Sequence, residues 1–150
     1  MNLNEGDPAP HFSGVDQNNN NFDSKDYIGK QPLVVYFYPK DFTPGCTQEA
    51  CQFRDQYEDF KELGAEVIGI SADSEKSHQK FSNKHNLPFR LISDPDKKLQ
   101  KKFGVKKSVF GLLPGRETFV IDKQGKIILK FNDLKASGHI RKAKKALKSK

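Results

Sequence analysis

Two short apolar runs constrain this chain more than anything else in it: Leu33-Val34-Val35-Tyr36-Phe37-Tyr38 and Glu66-Val67-Ile68-Gly69-Ile70-Ser71. Both are nearly unbroken and rich in β-branched or aromatic residues, the mark of strands buried on both faces. Pro39 ends the first. Between them, apolar residues recur at Ala50, Phe53, Tyr57, Phe60 and Leu63, spacings of three and four that fit one face of a helix from about Pro44 to Leu63, with Gly64 as its stop. Strand, helix and strand in this order form a βαβ unit, so the two strands should be parallel neighbours.

Downstream, the pattern predicts a helix from about Ser74 to His85, closed by Asn86, Leu87 and Pro88, and then a short strand from Phe89 to Ile92. Asp94-Pro95-Asp96 should open a helix ending near Gly104. Glu117 to Ile121 and Lys126 to Phe131 flank the turn Asp122-Lys123-Gln124-Gly125 and read as a hairpin. His139 to Leu147 reads as a final helix with Ile140, Ala143 and Leu147 inward. Asp16 to Asn21 is polar and rich in asparagine, the composition of a loop tip. No internal repeat or linker interrupts the 150 residues, so the expectation is an α/β fold in one domain over 1–150, a mixed sheet with helices on both faces.

Composition narrows the class. Apolar residues make up 35% and charged residues 30%, and no apolar run reaches the roughly 20 residues that cross a bilayer, so no membrane span is expected. The first residues lack the basic start and apolar stretch of a leader. Two cysteines are too few for a disulfide scaffold and fit a reducing compartment such as the cytoplasm. Much of the net charge of +7 lies in the tail Arg141 to Lys150. No aromatic residue interleaves with the lysines there, so a solvated helix face is the reading and no nucleic-acid partner is expected.

Cys46 follows Thr43-Pro44-Gly45. With Thr43 as N-cap and Pro44 as first helical residue, Cys46 falls in the first turn, facing unpaired N–H groups and the positive end of the helix dipole. Such an environment favours thiolate and takes a cysteine from about 8.5 toward roughly 3.5–7.5. A crevice beyond the carboxyl end of a core strand is also where open α/β sheets bind ligands. The competing reading of Cys46 is a small buried hydrophobe. Cys51 lies five residues on, which in a helix separates the Cα atoms by roughly 8–9 Å. A disulfide tolerates at most about 6.8 Å, so pairing the two sulfurs requires the helix start to unwind. The competing reading of Cys51 is a packing residue beside Ala50 on the helix face. Two cysteines so spaced do not converge on a metal ion, no C-x-x-C pair exists, and His78 and His85 are too far apart on one helix to share one. Those two histidines read as surface or core-edge residues, and His11 and His139 have no assignable partner.

At these residues the chain resembles the peroxiredoxins, specifically the bacterioferritin comigratory protein or peroxiredoxin Q branch. Pro39, Thr43 and Cys46 match the signature of Pro, three residues, Thr, two residues and Cys. Cys46-Thr47-Gln48-Glu49-Ala50-Cys51-Gln52-Phe53-Arg54-Asp55 matches its continuation, and Phe110 to Asp122 a third segment. The likeness runs from about Gly6 to Leu147. It implies a thioredoxin-like fold, a hydroperoxide substrate and no cofactor or metal. On this likeness Cys46 is the peroxidatic thiolate that becomes a sulfenic acid. Thr43 supplies a hydroxyl to thiolate and peroxide, Pro39 shields the pocket, and Arg116 stabilises charge as the O–O bond breaks. Glu49 is expected to orient an arginine. Cys51 matches a resolving cysteine that closes an intramolecular disulfide, reduced in turn by thioredoxin or a similar dithiol. Members using this route are commonly monomers. The Leu112-Leu113-Pro114-Gly115-Arg116 version looks most like the plant, algal and photosynthetic-bacterial forms, which makes a plastid the alternative to the cytoplasm.

Taken alone, Arg116 in a Pro-Gly loop would be solvated, and Arg54 would be a helix-surface arginine paired with Asp55 or Glu58. A thiol-disulfide oxidoreductase of the same fold is disfavoured by the missing C-x-x-C. A binding module working through the basic tail would show salt-dependent binding and no peroxide turnover.

Overall fold

The computed structural model describes residues 3–105 and 115–149. Seven strands form one mixed sheet: β1 (Ser13–Asp16), β2 (Asn21–Asp23), β3 (Leu33–Phe37), β4 (Glu66–Ser71), β5 (Arg90–Ser93), β6 (Glu117–Ile121) and β7 (Ile127–Asn132), in the order β2-β1-β5-β4-β3-β6-β7. The expected βαβ unit is present, with β3 and β4 paired in parallel, Val35 opposite Ile68. β4 and β5 are also parallel, and the β6–β7 hairpin joins the far side of β3 antiparallel. Five helices accompany the described strands: α1 (Pro44–Asp55), α2 (Tyr57–Glu62), α3 (Glu75–His85), α4 (Lys98–Phe103) and α5 (His139–Lys148).

The alternation along β3 explains why its sequence is apolar throughout. Val34 and Tyr36, with Tyr38 just beyond the strand, join Cys46, Ala50, Phe53, Phe60, Phe81 and Ala143 in one core cluster. Leu33, Val35 and Phe37 face the other way, into a cluster with Ile68, Ile70, Phe103 and Phe119. A central strand covered on both sides has no polar face to show.

Three elements differ from expectation. The helix expected from Pro44 to Leu63 is two, because Gln56 adopts φ −104° and ψ 5° between α1 and α2. The apolar face survives the break, since Phe53 and Phe60 still pack with ring centroids 5.7 Å apart. The loop tip read over Asp16 to Asn21 is the turn of a hairpin, with β1 and β2 pairing Gly14 to Phe22. Its strands are three and four residues long and largely polar, too brief for a period to register. A Cβ on Gly14 would lie 2.5 Å from Ile92 Cγ2, so only glycine lets β1 lie flat on β5 here. Finally, Asp94 does open a helix, but α4 starts at Lys98, with the Asp94 carboxylate accepting the N–H groups of Leu99 and Gln100 at 2.9 and 3.0 Å. Of the third sequence segment, residues 110–114, including Leu112, Leu113 and Pro114, lie outside the described residues. No helix among the described residues is long and apolar enough to cross a membrane.

Candidate active site

β3 ends at Phe37 and the chain passes through Tyr38-Pro39-Lys40-Asp41-Phe42-Thr43 into α1. Pro44 occupies the start of the helix and Cys46 its first turn, with the side chain 1% exposed. The first turn thus lies just beyond the carboxyl end of the central strand. Thr43 has the extended backbone of an N-cap, φ −80° and ψ 151°, and its carbonyl accepts the Thr47 N–H at 2.9 Å. Its hydroxyl is not a cap, and it is not brought to Cys46. It donates to the Lys40 carbonyl at 2.7 Å, closing the loop on itself. Pro39 is half-buried beside this turn.

Arg116 enters from the start of β6 and is 5% exposed, far from the solvated state its loop alone suggests. Its guanidinium spans three groups. Nη2 donates to Cys46 Sγ at 3.4 Å, Nη1 to Glu49 Oε1 at 2.5 Å, and Nε to the Leu134 carbonyl at 3.0 Å. One planar fork is therefore fixed at three corners, a use for which lysine has no equivalent. Glu49 lies one helical turn after Cys46 and is fully buried, which is how one face of α1 presents both thiol and carboxylate to the same arginine. Burial pushes the Glu49 carboxyl up to about 8, against the pull of the Arg116 charge and hydrogen bond. Burial works to lower Arg116, but Glu49 and then Cys46 outweigh it and leave the guanidinium raised. A cation held this firmly beside a sulfur stabilises negative charge there and on an oxygen that approaches it.

Several supporting residues were not read from the sequence. Gly45 is one, because a Cβ there would stand 2.9 Å from Arg116 Nη2. His139, which had no assignable partner, is fully buried behind Glu49, with Nδ1 2.7 Å from Thr118 Oγ1 and 3.6 Å from Glu49 Oε2. Its Nε2 donates to the Asp133 carbonyl at 2.8 Å. Burial pulls its pKa below the ordinary value, so the ring that backs the carboxylate is neutral. His78 is not at the surface or core edge, since it is 0% exposed and lies 2.7 Å from Asp41 Oδ2.

Asp41 is the anchor of the loop that leads to Cys46. It accepts hydrogen bonds from Tyr38 Oη at 2.6 Å and Ser77 Oγ at 2.9 Å, and its own N–H donates to Asp73 Oδ2 at 2.8 Å. Asp41, Asp73 and His78 bring ligand atoms within 4.8 Å of one another, but these bonds already engage them. The anchor holds an unfavourable neighbour in place. Phe42 has φ 67°, a left-handed conformation that costs a bulky residue roughly 1–3 kcal/mol, and rests its half-exposed ring on Phe81 at 5.1 Å.

Cys51 is half-buried on the α3 side of α1, its Sγ 3.8 Å from His85 Nδ1. Both cysteines are thiols, and α1 runs unbroken through both. Arg54 pairs with Asp55 at 3.0 Å, as expected, and also donates to the His85 carbonyl at 2.8 Å. His11 pairs with Asp23 at 2.7 Å on the surface.

A profile described as the AhpC/TSA family matches residues 5–130. A protein named peroxiredoxin Q, chloroplastic, from Sedum lineare is 49% identical over 146 residues, 97% of this chain and 78% of that protein. Among solved structures, PrxQ of Xylella fastidiosa superposes with a TM-score of 0.91 at 33% identity, covering 99% of this chain and 98% of that one. The bacterioferritin comigratory protein of Xanthomonas campestris, described through its alkyl peroxide reduction activity, superposes with a TM-score of 0.84 at 34% identity over 92% of this chain and 90% of that one. These matches agree with the observed sheet and with a thioredoxin-like fold.

Proposed function

The chain belongs to the AhpC/TSA family, in its peroxiredoxin Q branch, and is a thiol-dependent peroxidase; we propose that Cys46 attacks the peroxide and Cys51 resolves the product. The observation that carries this reading is the Arg116 fork, which touches Cys46 Sγ with Nη2 while Glu49 grips Nη1.

The Cys46 thiolate attacks the terminal oxygen of a hydrogen peroxide or alkyl hydroperoxide. An S–O bond forms and the O–O bond breaks, and the leaving oxygen departs as water or alcohol once protonated. Negative charge spreads from sulfur to the departing oxygen as this happens. Arg116 faces that charge from a fixed position, so no reorganisation is required when the bond breaks. Glu49 is a positioning residue, since it touches Arg116 and not the reacting atoms. Pro39 excludes bulk water from the sulfur. Thr43 would have to release the Lys40 carbonyl before its hydroxyl could meet the thiolate or peroxide.

Cys51 then attacks the sulfenic sulfur and releases water, leaving an intramolecular disulfide for thioredoxin or a similar dithiol to reduce by exchange. We read residues 1–150 as one peroxiredoxin domain acting as a monomer, because both sulfurs belong to the same helix. The reducing compartment is the cytoplasm, with the plastid, which appears in the relatives' names, as the alternative.

Intact mass after one equivalent of hydrogen peroxide tests the assignment. The reduced wild type should lose about two protons' mass, and Cys51→Ser should instead gain about one oxygen as a trappable sulfenic acid. If Cys46→Ser consumed peroxide at the wild-type rate, Cys46 would not be the peroxidatic residue.

A further inference from the structure

We propose that His85 is a catalytic base for this enzyme's second step, taking the thiol proton of Cys51 as that sulfur attacks the Cys46 sulfenic acid. The proposal rests on the reading of Cys51 as the resolving thiol.

The geometry is direct. His85 is the last residue of α3, and its Nδ1 stands 3.8 Å from Cys51 Sγ, within reach of a sulfur hydrogen bond. The ring packs edge-on against Phe81 at 5.2 Å between centroids, so its orientation is supported independently of the sulfur. Phe81 also carries Phe42, which places the base and the Cys46 loop on a shared aromatic ring. Arg54 ties the two helices together by donating from Nη1 to the His85 carbonyl at 2.8 Å. Arg54 is one turn after Cys51 on α1. That bond holds the Cys51 end of α1 on α3 while the Cys46 end unwinds, so thiol and base stay together through the conformational change that pairing the cysteines requires.

The charge environment keeps the base in its useful form. His85 is faced by Cys51 and Arg54 from α1 and by Lys84 on its own helix, and Arg54 is itself paired with Asp55. Burial first, then the Lys84 and Arg54 charges, hold the imidazole below its ordinary value, so it is neutral and able to accept a proton at pH 7.

The step balances within the protein. The Cys51 S–H proton passes to His85 Nδ1, the S–S bond forms, and the S–O bond of the sulfenic acid breaks. The departing hydroxide leaves as water by taking up one proton, which the imidazolium can return. When a dithiol later reduces the disulfide, His85 can relay the proton that the attacking thiol gives up to the released Cys51 thiolate. A neutral base beside the Cys51 sulfur then takes its proton without hydroxide from solution.

Rapid-quench intact mass, with reduced protein mixed with one equivalent of hydrogen peroxide, separates oxygen gain from disulfide closure. In His85→Gln the gain of about one oxygen should appear at the wild-type rate, while its conversion to disulfide slows at least about tenfold at pH 7. The wild-type closure rate should be flat above about pH 6.5 and fall below it, whereas the variant's rate should keep rising with pH. Imidazole added to His85→Ala should restore part of the closure rate, which a purely structural ring would not allow. Equal closure rates with superimposable pH profiles would overturn the role of His85 alone. A wild type that stays at the sulfenic acid would instead show that Cys51 is not the resolving thiol.

Discussion

Gly45 and Arg116 are in contact only because Gly45 has no side chain: a Cβ there would stand 2.9 Å from Nη2, the nitrogen that donates to Cys46. Arg116 cannot easily yield, because Nη1 and Nε are held by Glu49 and the Leu134 carbonyl. Gly45→Ala should therefore push Nη2 off the sulfur. Because the displaced guanidinium is buried and held at its other two nitrogens, the thermal midpoint should fall rather than rise. The second-order rate constant with hydrogen peroxide should fall about 10- to 100-fold, the scale of a misplacement near 1 Å. An unchanged rate constant, measured by competition for peroxide, would show that the guanidinium has room to move.

Glu49 gives the fold a pH dependence of defined sign. Its carboxyl titrates near 4.5 when unfolded and at about 8 in the native site, chiefly through burial. Between these values the unfolded chain has released a proton that the folded one keeps. The stability from this group is thus complete below about pH 4.5 and lost as pH rises through about 8, with a slope of at most ~1.4 kcal/mol per pH unit. His139 acts in the opposite sense at lower pH, because its pKa is depressed from 6.5 and the unfolded chain takes up the proton first. Above about pH 6.5 that contribution is constant. Urea unfolding between pH 6.5 and 8 should show wild-type stability falling with pH and the Glu49→Gln curve lying flatter. Parallel curves would mean that Glu49 is ionised in the native site throughout.

Asp41 joins the Cys46 loop to α3 and to Asp73, and its removal should be felt at both. Asp41→Asn leaves His78 without a carboxylate while it lies fully buried. Weakening the buried hydrogen bonds to Tyr38, Ser77 and His78 should destabilise by about 1–3 kcal/mol in urea titration. Phe42, held at φ 67°, should relax when the anchor goes, so the peroxide reaction should slow beyond what the unfolded fraction explains. Full activity of the folded fraction would confine Asp41 to a stabilising role.

What could be read in the sequence was what repeats locally. β3 and β4 announce themselves through continuous apolar runs, the α1–α2 face through spacings of three and four, α3 through Ser74 and its Asn86-Leu87-Pro88 stop, and Cys46 through the Thr-Pro-Gly start of α1. The roles expected of Arg116 and Glu49 came only through family resemblance. Nothing in a Pro-Gly-Arg loop says that the guanidinium will be 5% exposed. His78 was misread and His139 left without a partner for the same reason. His78 meets Asp41 across 37 residues and His139 meets Thr118 across 21, distances at which no periodicity operates. The break at Gln56 and the β1–β2 hairpin were missed because neither disturbs nor produces an apolar repeat long enough to detect.

If Cys46 and Cys51 pair as proposed, the continuity of α1 through both makes the potential of that couple a property of a helix. Closing the disulfide means giving up the backbone bonds of the first turns, so each increment of helix stability is charged against the oxidised form. A change of 1.4 kcal/mol in α1 corresponds to about 30 mV in the potential of a two-electron couple. Substitutions on the outer face of α1, such as Gln48→Ala, touch neither sulfur yet should raise the midpoint potential in step with the helicity they add. The reductant's driving force is in this way set partly by residues that never meet it.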